Sequence, residues 1–408
     1  MPGSDANAIR RVPDEWRGRC LRICHARHEH DRIYAENLAE YLAQAGIAHE
    51  VVEFERPGQR PELERCLGTE TMALVGFNSQ LDHCWLGPAN FVDAAGALGL
   101  PVVHWILDHP SARWPEFTNP AAPNARFLMV SGHCEQYFRR HARPQAHSAA
   151  TSGVGPNRRS RIADLDPQSF LQREIACLIP LNLVRLGGSQ ASMSAKLEQL
   201  DPRIASPVRD AIGRARHDLS EALEIHLETA LAQHDCELTP QGFHACAQMV
   251  EDMTQIWRRL AVFREAAPRP VRIQTDALPA ELAARAVATV HTDPQATSMI
   301  STLMLMKSCR AVLSLGLTSD MLHDRVANAL NAGCVAIVED TPLHRRIFRH
   351  GETALLFRYD DGSLADCLDL VCRQPERACA IAQAGFALRD DPAIRFGQFH
   401  RLLDLIRR

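Results

Sequence analysis

Between Ala311 and Phe357 the chain reads AVLSLGLTSDMLHDRVANALNAGCVAIVEDTPLHRRIFRHGETALLF. Thr318, Ser319, Asp320, His323, Asp324, Arg325 and Asn328 collect hydroxyl, carboxylate, imidazole, guanidinium and amide groups in one short stretch. Hydroxyls and a guanidinium beside a helix start are suited to phosphate, since the guanidinium forks onto two oxygens and the first N–H groups of a helix are unpaired. The elements that would position them are legible. Ala311 to Leu315 reads as a buried strand, Gly316 to Asp320 as a turn, and Val326, Ala329 and Leu330 as the apolar face of a helix stopping at Gly333. Val335 to Val338 starts a second buried strand, completing the unit in which α/β proteins present a helix N-terminus to a nucleotide or sugar-nucleotide. An ordinary strand–helix–strand unit with a solvated helix start has the same pattern, and the residues alone leave both readings open.

Two further clusters could do chemistry. HWILDHP, from His104 to Pro110, ends a strand and puts Asp108 and His109 at the edge where α/β sheets place their sites. A histidine titrating near neutrality beside a carboxylate can take a proton from a hydroxyl; a histidine satisfied by the backbone is the alternative. The run Cys24-His25-Ala-Arg-His28-Glu29-His30-Asp31 follows the first strand. His28 and His30 are two apart with Asp31 adjacent, so at a helix start they do not converge on one ion, although a loop could allow it; no metal is expected. Gly187 and Gly188 would let backbone approach a diphosphate closely, or make a plain turn.

The string HDRVANALNAGCVAIVEDTP, followed by GETALLFRYDD, resembles the C-terminal part of GT-B-fold glycosyltransferases, nearest in look to the CgeB-like branch of the glycosyl transferases group 1. That branch carries a His-(Asp/Glu)-Arg-x-x-Asn-Ala pattern with a glycine four residues later, and His323, Asp324, Arg325, Asn328, Ala329 and Gly333 fit it. The likeness is fullest over 271–390; Leu186 to Ser189 and His104 to Pro110 are similar to segments elsewhere in the same branch. It implies sugar transfer from a nucleotide-sugar donor, with no cofactor and no metal, in a cleft between two Rossmann-like domains. The donor would meet Gly187, Gly188, Thr318, Ser319, Asp320, His323, Asp324, Arg325 and Asn328. Asp108 and His109 would serve an acceptor hydroxyl if the reaction inverts, and His25 and His28 would lie near the cleft. Asp320 and Asn328 keep the E-x7-E spacing of many retaining relatives, in which the second acid binds ribose. Asn in place of that acid leaves the stereochemistry open and admits a catalytically silent scaffold that binds a carbohydrate or protein partner. The acceptor (protein, lipid-linked or small molecule) and the sugar are not specified by these residues.

Size and composition suit this expectation. A chain of 408 residues divides naturally into two domains, and 46% hydrophobic with 23% charged residues is ordinary globular composition. The net charge of −4 gives no electrostatic reason to expect nucleic acid or an anionic membrane as partner. The apolar runs are too short to span a bilayer, and the polar start lacks the apolar core of a secretion signal, so a soluble cytoplasmic protein is expected. Thirteen cysteines, odd in number and scattered singly, read as buried free thiols.

Alternating strands and helices place an N-terminal Rossmann-like acceptor domain over 1–156 and a C-terminal nucleotide-sugar domain over 157–390, with a helix over 391–408 that would return to the first domain. Strands are expected at Cys20–Cys24, His49–Phe54, Met72–Phe77, Val102–Leu107, Phe127–Ser131 and Ala146–Thr151 in the first. Asn182–Leu186, Val271–Gln274, Ala286–His291, Ala311–Leu315, Val335–Val338 and Ala354–Phe357 are expected in the second. Within it, about 190–265 reads as a helical insertion, with Leu219, Leu223, Leu227 and Leu231 as an apolar stripe. Such an insertion could pack on the core, make a homodimer or cradle an acceptor.

Overall fold

The computed structural model describes residues 16–55, 60–86, 88–117, 121–181, 194–275, 290–292, 298–316, 318–359, 361–396 and 399–407. It holds two six-stranded sheets whose neighbouring strands all pair in parallel. The fold class is therefore α/β with two Rossmann-like domains, as the alternation of apolar runs and helical stretches implies. By packing, the chain forms one compact unit from 1–157 with 391–408 and another from 158–390.

The first sheet is built from β1 (Cys20–Ala26), β2 (His49–Phe54), β3 (Thr71–Phe77), β4 (Val102–Ile106), β5 (Ala125–Met129) and β6 (Ser148–Ala150), in the order β2-β1-β3-β4-β5-β6. Parallel strands covered on both faces have no polar side to show, so β3 (TMALVGF) and β4 (VVHWI) are buried at every residue. The strand order reverses between β1 and β3, and such a switch point opens a crevice at the C-terminal ends of the strands. Helix α1 runs from Glu29 to Gln44, the acidic and histidine-rich stretch forming its first turn. Its chain leaves through Gly46 at φ +69°, where a left-handed residue suits glycine. The 391–408 segment packs within this unit: Phe399 meets Trp105 edge-on at 5.1 Å and Tyr41 at 5.5 Å, and Leu402, Leu403 and Leu405 are buried.

The second sheet comprises β7 (Ile175–Pro180), β8 (Arg272–Thr275), β9 (Val290–Thr292), β10 (Cys309–Ser314), β11 (Val335–Glu339) and β12 (Leu355–Phe357), ordered β9-β8-β7-β10-β11-β12. Here the order reverses between β7 and β10. The strand that begins this sheet is Ile175–Pro180; the stretch expected for it, Asn182–Leu186, lies outside the described residues. IACLIP and the apolar residues after it form one continuous run, and Pro180 ends the strand instead of preceding it, its main chain still in register with Gln274. Between β7 and β8 the described residues include the helices α2 (Pro202–His217), α3 (Leu223–Gln233) and α4 (Pro240–Ala266). Asp201 and Thr239 cap α2 and α4, accepting from the N–H groups of Arg203 and Gly242, and a proline follows each cap where its missing N–H costs nothing. Leu219 precedes α3, so the expected four-leucine stripe loses its first member to the connecting turn. All thirteen cysteines are free thiols and ten of them are buried, as small core hydrophobes.

Candidate functional site

In the second unit β10 ends at Ser314 and delivers the chain through Gly316, Thr318, Ser319 and Asp320 into helix α5 (Asp324–Asn331). His323 is the N-cap residue, its Nδ1 3.2 Å from the backbone N of Arg325 and 2.5 Å from Oδ1 of Asp324. The helix stops because Gly333 adopts φ +64°, which frees the next strand to start at once. A Cβ on Gly333 would come within 2.8 Å of the Leu165 side-chain end and 2.9 Å of that of Ile162, which would have to shift, but it is the left-handed backbone that demands glycine here.

Of the expected donor residues, Thr318, Ser319, Asp320, His323, Asp324 and Arg325 lie together on this turn and the helix start. Thr318 donates to Asp320 (3.0 Å). Asp324 is buried, which alone would raise its pKa, but the adjoining His323 ring and Arg325 guanidinium outweigh burial and hold it down to about 2. Arg325 is half-buried; its charge acts on the Asp324 carboxylate, though among the described residues no hydrogen bond or close ion pair joins its guanidinium to a carboxylate. Asn328 is placed otherwise than expected. Its side chain is wholly buried, donating to the Asp324 carbonyl (2.8 Å) and accepting from the Ser160 hydroxyl (2.8 Å), so it ties α5 to the start of the unit. A polar group on the inner face of an amphipathic helix faces the core, whatever its distance in sequence from Asp320. Gly187 and Gly188 lie outside the described residues.

One residue of this region went unread in the sequence. Glu339 ends β11 and is almost completely buried. Its Oε2 accepts from the Gly316 N–H (2.8 Å), while its Oε1 accepts from the Tyr359 hydroxyl (2.8 Å) and lies 3.5 Å from Arg258 of α4. Gln255, one turn before Arg258, reaches the Gly316 carbonyl at 3.4 Å. The turn that follows β10 is thus gripped on both sides of Gly316, by the helical insertion and by β11. Burial, with the Glu339 carboxylate beside it, pushes the Tyr359 phenol well up, so it stays a donor. The readable signal was a carboxylate closing an otherwise apolar strand, VAIVE.

The acceptor-side expectations divide. In the first unit a cleft of about 530 Å³ is lined by Ala26, Arg27, His28, Asp31, Glu55, Asn78, Gln80 and Arg113. These residues follow β1, β2, β3 and β4, at the switch point of the first sheet. His28 lines it, stacked on His30 with ring centres 5.1 Å apart. His25 does not: it is buried, its Nδ1 bonded to the Ala26 carbonyl (2.8 Å). Asp108 is engaged by Arg113 (Nε to Oδ2 2.9 Å) and by the Asn78 amide (3.3 Å). His109 is corrected from catalytic base to core residue. It is 3% exposed, bonded through Nδ1 to Ser111 and packed edge-on against Tyr137 at 4.7 Å, because the chain turns inward after Asp108.

Residues 298–391 match the family model described as glycosyl transferase-like. No curated protein matches the chain. Among solved structures, HepE from Anabaena in complex with UDP-glucose is similar at 12% identity, over 95% of this chain and 98% of that one, with a TM-score of 0.45. A T4 phage BGT mutant with UDP-glucose is similar at 8% identity (95% and 99% covered, TM-score 0.48), and sucrose-phosphate synthase from Thermosynechococcus elongatus at 12% (95% and 99%, TM-score 0.43). The chain thus holds two Rossmann-like domains, and the second carries the glycosyl transferase-like segment. The match includes every expected donor residue from Thr318 to Asn328, and it leaves the particular sugar and acceptor to this chain's own side chains.

Proposed function

We propose that this protein is a metal-independent glycosyltransferase, moving a hexose from a nucleotide donor to a hydroxyl or amide acceptor. The observation that carries the reading is Arg325: a half-buried guanidinium in the first turn of α5, inside the glycosyl transferase-like segment, whose charge acts on Asp324 without a hydrogen bond or close ion pair to it. A guanidinium in the first turn of a helix, where the dipole also favours negative charge, is suited to an anion, and the anion a sugar transfer must stabilise is the departing nucleoside diphosphate. The Gly316 turn, held by Glu339 and Gln255, supports this role by fixing the approach to the helix start before the donor arrives. The acceptor is assigned to the first unit.

Isothermal titration with UDP-, GDP- and dTDP-sugars tests the donor half. One of them should release heat, and Arg325→Ala should weaken that donor by about 1.5–3 kcal/mol, or roughly 10- to 150-fold, the worth of a charge-assisted hydrogen bond. Folded protein that binds none of them, or an Arg325→Ala variant that binds as well as the native chain, would overturn the reading. The commitment of Asp108 to Arg113 and the burial of His109 favour a second reading, a silent scaffold. Nucleotide release separates the two: binding without release across varied acceptors belongs to the scaffold.

A further inference from the structure

The cleft of the first unit has a chemistry of its own. Both of its arginines are already neutralised: Arg27 pairs with Glu53 (2.7 Å) and Glu55, and Arg113 with Asp108 and Glu116 (3.0 Å). A phosphate entering there would meet the carboxylates along with the cations. Two side-chain amides are locked in orientation. Gln80 accepts from the Ala26 N–H through Oε1 (3.2 Å) and therefore donates through Nε2 to Oδ2 of Asp31 (2.5 Å). Asn78 accepts from the Leu107 N–H through Oδ1 (2.8 Å) and donates through Nδ2 to Oδ2 of Asp108. This placement is obtained with strain, since Asn78 and Ser79 both lie in the left-handed region (φ 45° and 55°) without being glycine. The result is that Asp31, only 4% exposed yet lining the cleft, is fixed by one oxygen, and the other has no partner among the described residues. A carboxylate oxygen on a buried side chain, lining a cleft whose two arginines are both paired, is an acceptor waiting for donors.

We infer that this cleft binds a neutral, hydroxyl-rich ligand, a carbohydrate, with Asp31 receiving a sugar hydroxyl. The inference deepens the proposed function, resting on it only where the ligand is called the acceptor. Volume agrees, since about 530 Å³ accommodates one or two sugar rings and lies within the range of small-molecule sites.

The test is saturation-transfer NMR on the full chain with glucose, maltose and cellobiose, beside glucose 6-phosphate and glucosamine, each with and without saturating UDP. At least one neutral sugar should give signals that persist with UDP, at least tenfold stronger in apparent affinity than glucose 6-phosphate. Asp31→Asn should lower that affinity at least tenfold. Because Asp31 is buried and its replacement could disturb folding, His28→Trp is the second variant. His28 is exposed and makes no side-chain cap, so added bulk there should block the cleft and abolish binding while leaving thermal unfolding unchanged. Failure of every neutral sugar, preference for the phosphorylated or amino sugar, or binding untouched by His28→Trp would each overturn the inference. Donor titration on the same sample keeps the outcomes distinct: nucleotide-sugar heat without sugar signals sinks this inference alone, and the reverse sinks the proposed function alone.

Discussion

Replacing Glu339 by alanine removes the carboxylate that joins three elements of the second unit. The Gly316 N–H and the Tyr359 hydroxyl each lose an acceptor at 2.8 Å, and Arg258, itself buried, is left with the Ala215 carbonyl at 3.4 Å as its remaining contact on that network. Charges 3.5 Å apart attract by about 5 kcal/mol at an effective dielectric near 20, but desolvating both returns much of it. The net worth of the pair is therefore small, whereas stranding one member is expensive, about 3–5 kcal/mol. Glu339→Ala should destabilise the second unit by that amount. Glu339→Leu combined with Arg258→Met, which removes both charges, should cost less than Glu339→Ala alone. Hydrogen exchange of the amides in 309–339, read against denaturant, measures the unit without averaging over the first one. An alanine variant within 1 kcal/mol of native, or a double variant no more stable than the single, would refute the assignment of Arg258 and Glu339 as a mutually dependent buried pair.

Three further outcomes follow from the same region. Asp324, with its pKa depressed to about 2 from 3.8, contributes stability above the unfolded value that is lost as pH falls through the folded one. The difference between native protein and Asp324→Asn should accordingly be about 2 kcal/mol at pH 7 and close between about pH 4 and 2, in urea unfolding at fixed ionic strength. Gly333→Ala should lower the free energy of unfolding, read by urea titration, by more than about 1 kcal/mol, since it meets a left-handed backbone and presses on the Leu165 and Ile162 side chains. Gln255→Leu removes one side of the grip on Gly316 and should raise donor KM severalfold with little change in melting temperature, seen by titration and calorimetry; an unchanged KM would mean that Glu339 alone holds the turn.

What was legible in the sequence was whatever one element decides by itself. Apolar runs such as VVHWI and VAIVE fixed strands to within a residue or two, and the Arg325 helix start with its Gly333 stop was visible because caps and left-handed glycines are local. What failed depended on direction. His109 and Asn328 have suitable chemistry and spacing, but whether a side chain faces a cavity or the core is set by elements far away in sequence, Tyr137 and Ser160 among them. Asp31 was passed over for a related reason: its partner Gln80 lies 49 residues on, behind a pair of strained residues that no pattern announces.

The return of 391–408 to the first unit has a consequence for how the protein is made. On the ribosome the second unit is contiguous and can close its sheet as soon as residue 390 has emerged, while the first unit must wait with Tyr41 and Trp105 uncovered until Phe399 and Leu402 are translated. Of the two units, the one translated first is thus the one that finishes folding last.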